Sequence, residues 1–166
     1  MAKAYLSLGS NLEPEVHLAR AIAELRVRFG DLVVSPFYRS VAVGFAGPDF
    51  LNAAVIIDSD LDVLALDAWL HALEDAHGRR RDVPRFSSRP LDVDIVFFDN
   101  LVLKGPGNLE LPRPDLQHAF VLAPLADIAP DYIHPVSGLS LAQLWRTYQA
   151  APAAAQCLVT RVPPNP

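Results

Sequence analysis

Between Gly78 and Asp94 the sequence reads GRRRDVPRFSSRPLDVD, which sets five arginines, Arg79, Arg80, Arg81, Arg85 and Arg89, beside the acidic pair Asp92 and Asp94. Guanidinium groups are planar forks of donors matched to phosphate oxygens, and carboxylates are hard oxygen ligands matched to Mg²⁺. The stretch therefore has the composition of a site that handles a polyphosphate together with divalent cations. In a strand successive side chains alternate faces, so the D-x-D spacing projects both carboxylates to one side. Leu91, Val93, Ile95 and Phe97 are then expected to share the opposite face, with Val96 and Phe98 extending the floor beyond the aspartates. Two adjacent carboxylates repel unless cations lie between them, which points to Mg²⁺. A D-x-D pair on its own serves equally well in a surface salt-bridge network with the neighbouring arginines.

Three further groups of residues have chemistry to offer. Phe50 and Asn52 alternate onto one strand face with Ala54 and Ile56, giving a ring to stack on and an amide to bond the edge of a flat heterocycle; a core Phe with a loop-capping Asn has the same pattern. Asp67, His71 and Glu74 recur at helical spacing, which describes a solvated face, but that helix delivers His71 and Glu74 to the arginine stretch, where Glu74 could orient a guanidinium or receive a ribose hydroxyl. Arg113 lies between Pro112 and Pro114, so its backbone has little freedom and its side chain is either placed for function or merely exposed beside a loop proline.

The elements that must carry these residues follow from periodicity. The alternation of residues 4–8 reads as a strand that stops at a Gly9-Ser10-Asn11 turn, followed by a helix opening at Pro14 with Leu18, Ile22, Leu25 and Phe29 inward and Gly30 at its end. Residues 32–43 read as a second strand with Pro36 at an edge or bulge, and 50–57 as a third. A helix over 62–77 buries Leu66, Trp69, Leu70 and Leu73, with Gly78 capping it. After the D-x-D strand come two short strands around KGPGN, a helical region over 116–128, and a last helix opened by the capping box of Ser140 and Gln143. The expected fold is α+β, with a ferredoxin-like βαββαβ core, a mostly antiparallel sheet and helices packed on it. Residues 1–149 form one domain in this reading, and 150–166 a loosely attached Ala/Pro-rich tail.

Composition narrows the function. At 166 residues, 51% hydrophobic and 20% charged, the chain can bury one sizeable core, and a net charge of -5 disfavours a general nucleic-acid binder. Cys157 is the single cysteine, so no intrachain disulfide can form. The start MAKAYLSLGSNLEPE has no secretory apolar region, and no apolar run approaches a membrane span, so the expectation is a soluble, cytoplasmic protein without nucleic-acid or membrane partners.

Taken together, AYLSLGSNL, FLNAAV, ED-x-x-GR-x-R from Glu74, R-x-L-D-V-D-I from Arg89 and FVLAPLADIAP from Phe120 resemble the 6-hydroxymethyl-7,8-dihydropterin pyrophosphokinase family over most of the chain. The resemblance implies an ATP- and Mg²⁺-dependent enzyme that transfers the β,γ-pyrophosphoryl unit of ATP to the pterin hydroxymethyl group in folate biosynthesis, releasing AMP, and a monomer. It implies two Mg²⁺ ions on Asp92 and Asp94, and a catalytic role for Arg79 and Arg89. It implies ATP contacts at His71, Glu74, Arg79, Arg81, Arg85 and Ile95, with the arginines in a loop that closes over both substrates. Phe50 and Phe120 correspond to two aromatic plates for the pterin, Asn52 to its edge contact, and Ser40 and Val43 to a loop that reads the ring; Phe86 stands where the family often has Trp. In LPRPDLQHAF, Arg113 replaces the usual histidine, one residue is missing before Phe120, and an expected arginine is absent with His118 close by. Arg113 could take over the hold on the far end of the triphosphate.

Three rivals share parts of this pattern. A ferredoxin-like ligand sensor has no need of D-x-D beside five arginines, an RNA-binding module needs a basic aromatic surface, and a Mg²⁺-dependent phosphohydrolase would use the same aspartates with water as nucleophile.

Overall fold

The computed structural model describes residues 1–41, 47–78, 90–151 and 159–162. In chain order the elements are β1 (Ala2–Ser10), α1 (Pro14–Phe29), β2 (Val33–Val34), β3 (Phe37–Ser40), β4 (Phe50–Ser59), α2 (Val63–Ala76), β5 (Asp92–Phe98), β6 (Leu103–Lys104), β7 (Glu110–Leu111), a 3-10 turn (Pro114–Gln117), α3 (Ala119–Ile128), α4 (Leu141–Ala150) and β8 (Val159–Val162). The sheet runs β5-β1-β4-β3-β8, with β2 also on β4, and every pairing is antiparallel. This is the expected α+β, ferredoxin-like order, with the second strand split in two. The split falls at Ser35-Pro36: Pro36 has no N–H for the ladder, and Ser35 pairs with Ala54 instead through its N–H at 2.9 Å and its hydroxyl, which accepts from the Ala54 N–H at 2.8 Å.

β1 is the axis, because both of its edges are paired and its two faces feed separate cores. Ala4, Leu6 and Leu8 meet Leu18, Ala21, Ile22 and Leu25 of α1 and Leu66, Leu70 and Leu73 of α2 on one side. Tyr5 meets Val121, Leu122 and Leu125 of α3 and Leu141 of α4 on the other. Fully burying such a leucine is worth about 1.5–3 kcal/mol, so these stripes hold the helices to the sheet. Local signals set the helix ends. The Asp62 carboxylate accepts from the Ala65 N–H at 2.8 Å, Ser140 and Gln143 close the expected capping box, and Gly78 follows α2 at φ 88°, which favours glycine.

Three expectations are corrected. Gly9 and Ser10 do not form a turn but continue β1, since Gly9 is paired with both neighbouring strands and Ser10 with Leu51 of β4. The strict alternation of β5 fails at its end: Leu6 faces Ile95 whereas Tyr5 faces Phe97, so Val96 is an extra, bulged residue. The bulge inverts the alternation beyond it, and Phe97 joins Tyr5 and Tyr132 in the α3/α4 core while Phe98 packs on the other side. The tail, expected to be loose, returns at residues 159–162 as β8 along β3. Among the described residues no helix is long and apolar enough to cross a membrane.

Candidate active site

The site is a row of side chains across one sheet face, and β1 sets its spacing. Gly9 faces Asp92 on one side and Asn52 on the other, and Ser7 likewise separates Asp94 from Ala54. Asp92 and Asn52 therefore stand two strand spacings apart, about 10 Å across the row. A side chain at position 9 would narrow this gap, because a Cβ there would come within 3.3 Å of Asn52 Oδ1 and 3.7 Å of the Phe50 ring. Glycine in mid-strand costs stability and is explained here by that close approach.

Asn52 is buried, and its carboxamide is oriented by β3. Its Nδ2 donates to Ser40 Oγ at 2.8 Å and to the Tyr38 carbonyl at 3.3 Å, and because a carbonyl can only accept, the assignment of nitrogen and oxygen is fixed. Oδ1 is left directed over Gly9 as an acceptor. Ser40 and Asn52, both named from sequence, are thus one hydrogen-bonded unit, with Phe50 beside them.

On the other side of Gly9 the charges crowd. Burial and the Asp92 carboxylate push Asp94 well above the usual carboxylate range, Arg113 opposes the shift, and Glu74 and Asp115 add to it. Arg113 Nη2 lies 3.4 Å from Asp94 Oδ1, its Nε donates to Asp115 Oδ2 at 2.9 Å, and its backbone N–H donates at 3.1 Å to the carbonyl of the bulged Val96. Burial works against the Arg113 charge, but Asp94 and Asp115 outweigh it and hold the guanidinium more firmly protonated. Arg113 is therefore a placed residue, with 25% of its side chain exposed. Asp92 and Asp94 project from one strand face, and the repulsion between them that pushes Asp94 up is what a divalent cation would relieve. Among the described residues no group of three or more His, Cys, Asp or Glu is arranged to hold a metal. Mg²⁺ here would draw on the two aspartates and complete its shell with water and ligand oxygens, which is its ordinary habit at phosphate sites.

The helical candidates separate. Glu74 is buried and accepts from the Val93 N–H at 2.9 Å, so it braces the strand between the two aspartates. His71 is half-exposed on α2, 3.8 Å from Asp67. Ile95 is 2% exposed within the α1/α2 core, where it packs rather than offers a surface. Phe120 opens α3, a helix that crosses β4, and its ring stacks on His118 with centroids 5.0 Å apart and planes 9° from parallel. Arg79, Arg80, Arg81, Arg85, Phe86, Arg89 and Val43 lie outside the described residues.

Sequence reasoning missed Ser7, Gly9, Tyr38 and Asp115. Continuing the alternation of AYLSLGS through Ser10 would have put Ser7 and Gly9 on one face; Tyr38 matters through a backbone carbonyl, which leaves no mark in sequence.

A family profile described as 7,8-dihydro-6-hydroxymethylpterin-pyrophosphokinase (HPPK) matches residues 5–130. A 2-amino-4-hydroxy-6-hydroxymethyldihydropteridine pyrophosphokinase of Synechocystis is 39% identical over 145 residues, covering 85% of this chain and 73% of that protein. One of the same name from Pseudomonas aeruginosa is 42% identical over 134 residues, covering 78% of this chain and 82% of its own. Among solved structures, the Plasmodium falciparum HPPK-DHPS wild type with SDX-DHP superposes with a TM-score of 0.69 at 15% identity over 94% of this chain, a likeness of fold. This chain spans 45% of that longer one.

Proposed function

This chain belongs to the 7,8-dihydro-6-hydroxymethylpterin-pyrophosphokinase family, and we propose that it carries out the family's transfer with ATP as donor and Mg²⁺ as the metal. It is a pyrophosphokinase of folate biosynthesis acting on hydroxymethyldihydropterin. The bond between the α-phosphate's bridging oxygen and the β-phosphorus breaks, a bond from the pterin hydroxymethyl oxygen to that phosphorus forms, the hydroxyl proton is released, and AMP leaves.

The observation that carries this reading is the shared partner of Asp92 and Asn52: both face Gly9, so a carboxylate pair suited to metal-bound phosphates and an amide suited to a heterocycle edge lie on one face, about 10 Å apart. Asp92 and Asp94 would hold two Mg²⁺ ions. When bound, the ions supply charge neutralisation at the phosphate oxygens. Arg113 faces the same cleft and would contact the far end of the triphosphate, with Arg79, Arg81, Arg85 and Arg89 assigned to the phosphates, and Glu74, His71 and the main chain of Ile95 to the nucleotide side. Asn52 Oδ1 accepts from a ring N–H of the pterin, Phe50 and Phe120 stack on its faces, and Ser40 keeps the amide turned the right way. Val43 and Phe86 complete the pterin side. The protein's part is positioning and fixed charge, which is most of what phosphoryl transfer asks of an enzyme. A monomer with a single domain over residues 1–149, to whose sheet β8 adds an edge strand, working in the cytoplasm, completes the proposal.

Incubation with ATP and Mg²⁺, with and without hydroxymethyldihydropterin, tests it. AMP formed only with the pterin is the expected result. Phosphate release without pterin would make the protein a hydrolase instead, and no turnover in either case would leave a binding module.

A further inference from the structure

The C-terminal strand reaches the site through a buried tyrosine. β8 lies antiparallel along β3 with Arg161 directly opposite Tyr38. Arg161 Nη2 donates to Asp127 Oδ1 at 2.7 Å, and the Tyr38 hydroxyl donates to the other oxygen of the same carboxylate. The Arg161 guanidinium also lies over the Tyr38 ring, 5.9 Å from its centroid. Burial, and the hydrogen bond to Asp127, raise Tyr38 above the ordinary phenol range, so the hydroxyl remains the donor in this contact. Three elements, β8, β3 and α3, are thus joined at one carboxylate.

Both partners of that carboxylate lead to the pterin side. Tyr38 offers its backbone carbonyl to Asn52 Nδ2, and Ser40, two residues along the same strand, offers its hydroxyl to the same nitrogen. Asp127 sits on α3 seven residues after Phe120, two helical turns along and so on the same stripe. A carboxylate that fixes the position of β3 and the rotation of α3 fixes the edge contact and one stacking ring together. β3 needs such a clamp, since it is short and, among the described residues, is followed in the sheet by a four-residue strand. The family match ends at residue 130, so Tyr38 and Asp127 fall inside it and Arg161 outside.

We propose that β8 is a working part of the pterin site, and that Arg161 is a positioning residue which, through Asp127 and Tyr38, holds the Asn52 amide and the Phe120 ring in register with the pterin. The proposal rests on the pterin reading above. It makes residues beyond the family match determinants of pterin affinity, while the carboxylate pair across β1 is served by separate contacts, from Glu74 and Arg113.

The test measures the full-length wild type, Arg161→Met, Arg161→Lys and Tyr38→Phe in the AMP-forming assay, with pterin binding followed separately by its fluorescence. Arg161→Met keeps length and apolar packing but loses the charge; it is expected to raise the KM and Kd for pterin by roughly three- to tenfold, with kcat and the ATP KM within about twofold. Arg161→Lys is expected to recover most of the loss, and Tyr38→Phe, which keeps the ring, to reproduce it. Combining Tyr38→Phe with Arg161→Met should cost little more than either alone, because both break the same link. Unchanged pterin constants in Arg161→Met and Tyr38→Phe overturn the proposal, as does an equal loss for ATP and pterin, which would mean general loosening. If Arg161→Met fails to fold, Tyr38→Phe decides by the same split. A wild-type protein that makes no AMP from pterin would refute the functional reading itself, a result distinct from an active wild type with indifferent variants.

Discussion

Arg113 and Asp94 face each other at 3.4 Å, the arginine fixed to the bulge of the strand that carries the aspartate and braced from behind by Asp115. The guanidinium is thus held at the edge of the acidic pair before any ligand arrives, and it can meet phosphate oxygens without first being ordered. Arg113→Ala is expected to raise the ATP KM about tenfold, ~1.4 kcal/mol, with the pterin KM nearly unchanged. Arg113→Lys should recover little, since an ammonium lacks the planar fork that serves Asp94 and Asp115 at once. Steady-state kinetics with each substrate varied in turn check this; an unaltered ATP KM would leave Arg113 a structural brace.

Asp92 and Asp94 should both lose activity when neutralised, and at Asp94 stability should move the other way. Replacing either by Asn keeps the shape and removes the charge for Mg²⁺, and turnover is expected to fall at least roughly a hundredfold, about 2.7 kcal/mol of transition-state stabilisation. For Asp94 the folded state raises the carboxyl above its unfolded value, so the fold binds more protons than the unfolded chain and loses stability as pH rises past the ordinary carboxylate range. At neutral pH without ligands Asp94→Asn is therefore expected to raise Tm, by roughly 2–4 °C if about 1 kcal/mol is relieved. Calorimetry that shows a lower Tm together with lost activity would instead mean that the Arg113 contact dominates.

Phe120 stands in the first turn of its helix with its ring stacked parallel on that of His118. Phe120→Ala should weaken pterin binding by about 1 to 3 kcal/mol and leave ATP affinity within a small factor. Titration calorimetry with each ligand separates this from a packing defect, which would weaken both equally.

A fourth prediction concerns pH and lies away from the site. His17 Nδ1 and His77 Nδ1 are 2.8 Å apart, and His77 Nε2 is 2.9 Å from Glu24 Oε2, so one of the facing Nδ1 atoms must be a bare acceptor. Burial, His77 and Arg20 all lower His17 below the ordinary histidine value, with Glu13 opposing. The unfolded chain then binds the extra proton more readily than the fold, and the contribution of His17 to stability is expected to fall as pH drops through about 6.5. His17→Gln should flatten that slope, though not abolish it, because burial also lowers His134. Urea unfolding at pH 7.5 and 5.5 gives the comparison; identical slopes in wild type and variant would exclude His17 as the source.

The order of elements, the helix caps and the membership of the D-x-D pair in a strand were legible in the sequence, because period, capping and turn chemistry act over a few residues. Leu18, Ile22 and Leu25 announce their helix face, and Ser140 with Gln143 announces the last helix's start. The family match was legible for a different reason, since several short motifs in fixed order are specific when none is so alone. What tertiary structure decided is everything that depends on register between distant strands. Gly9 looks like a turn residue until β4 and β5 pair on either side of it, and only then is it the gap between Asn52 and Asp92. Alternation predicts Phe97 beside Ile95, and one bulged residue, Val96, sends it to the opposite core. Arg113 is a lone arginine between prolines until the bulge carbonyl takes its N–H and Asp94 comes within reach. The strand at residues 159–162 has no signal of its own, as four residues form a strand only when a partner edge supplies their hydrogen bonds, and that edge, β3, lies more than a hundred residues earlier in the chain.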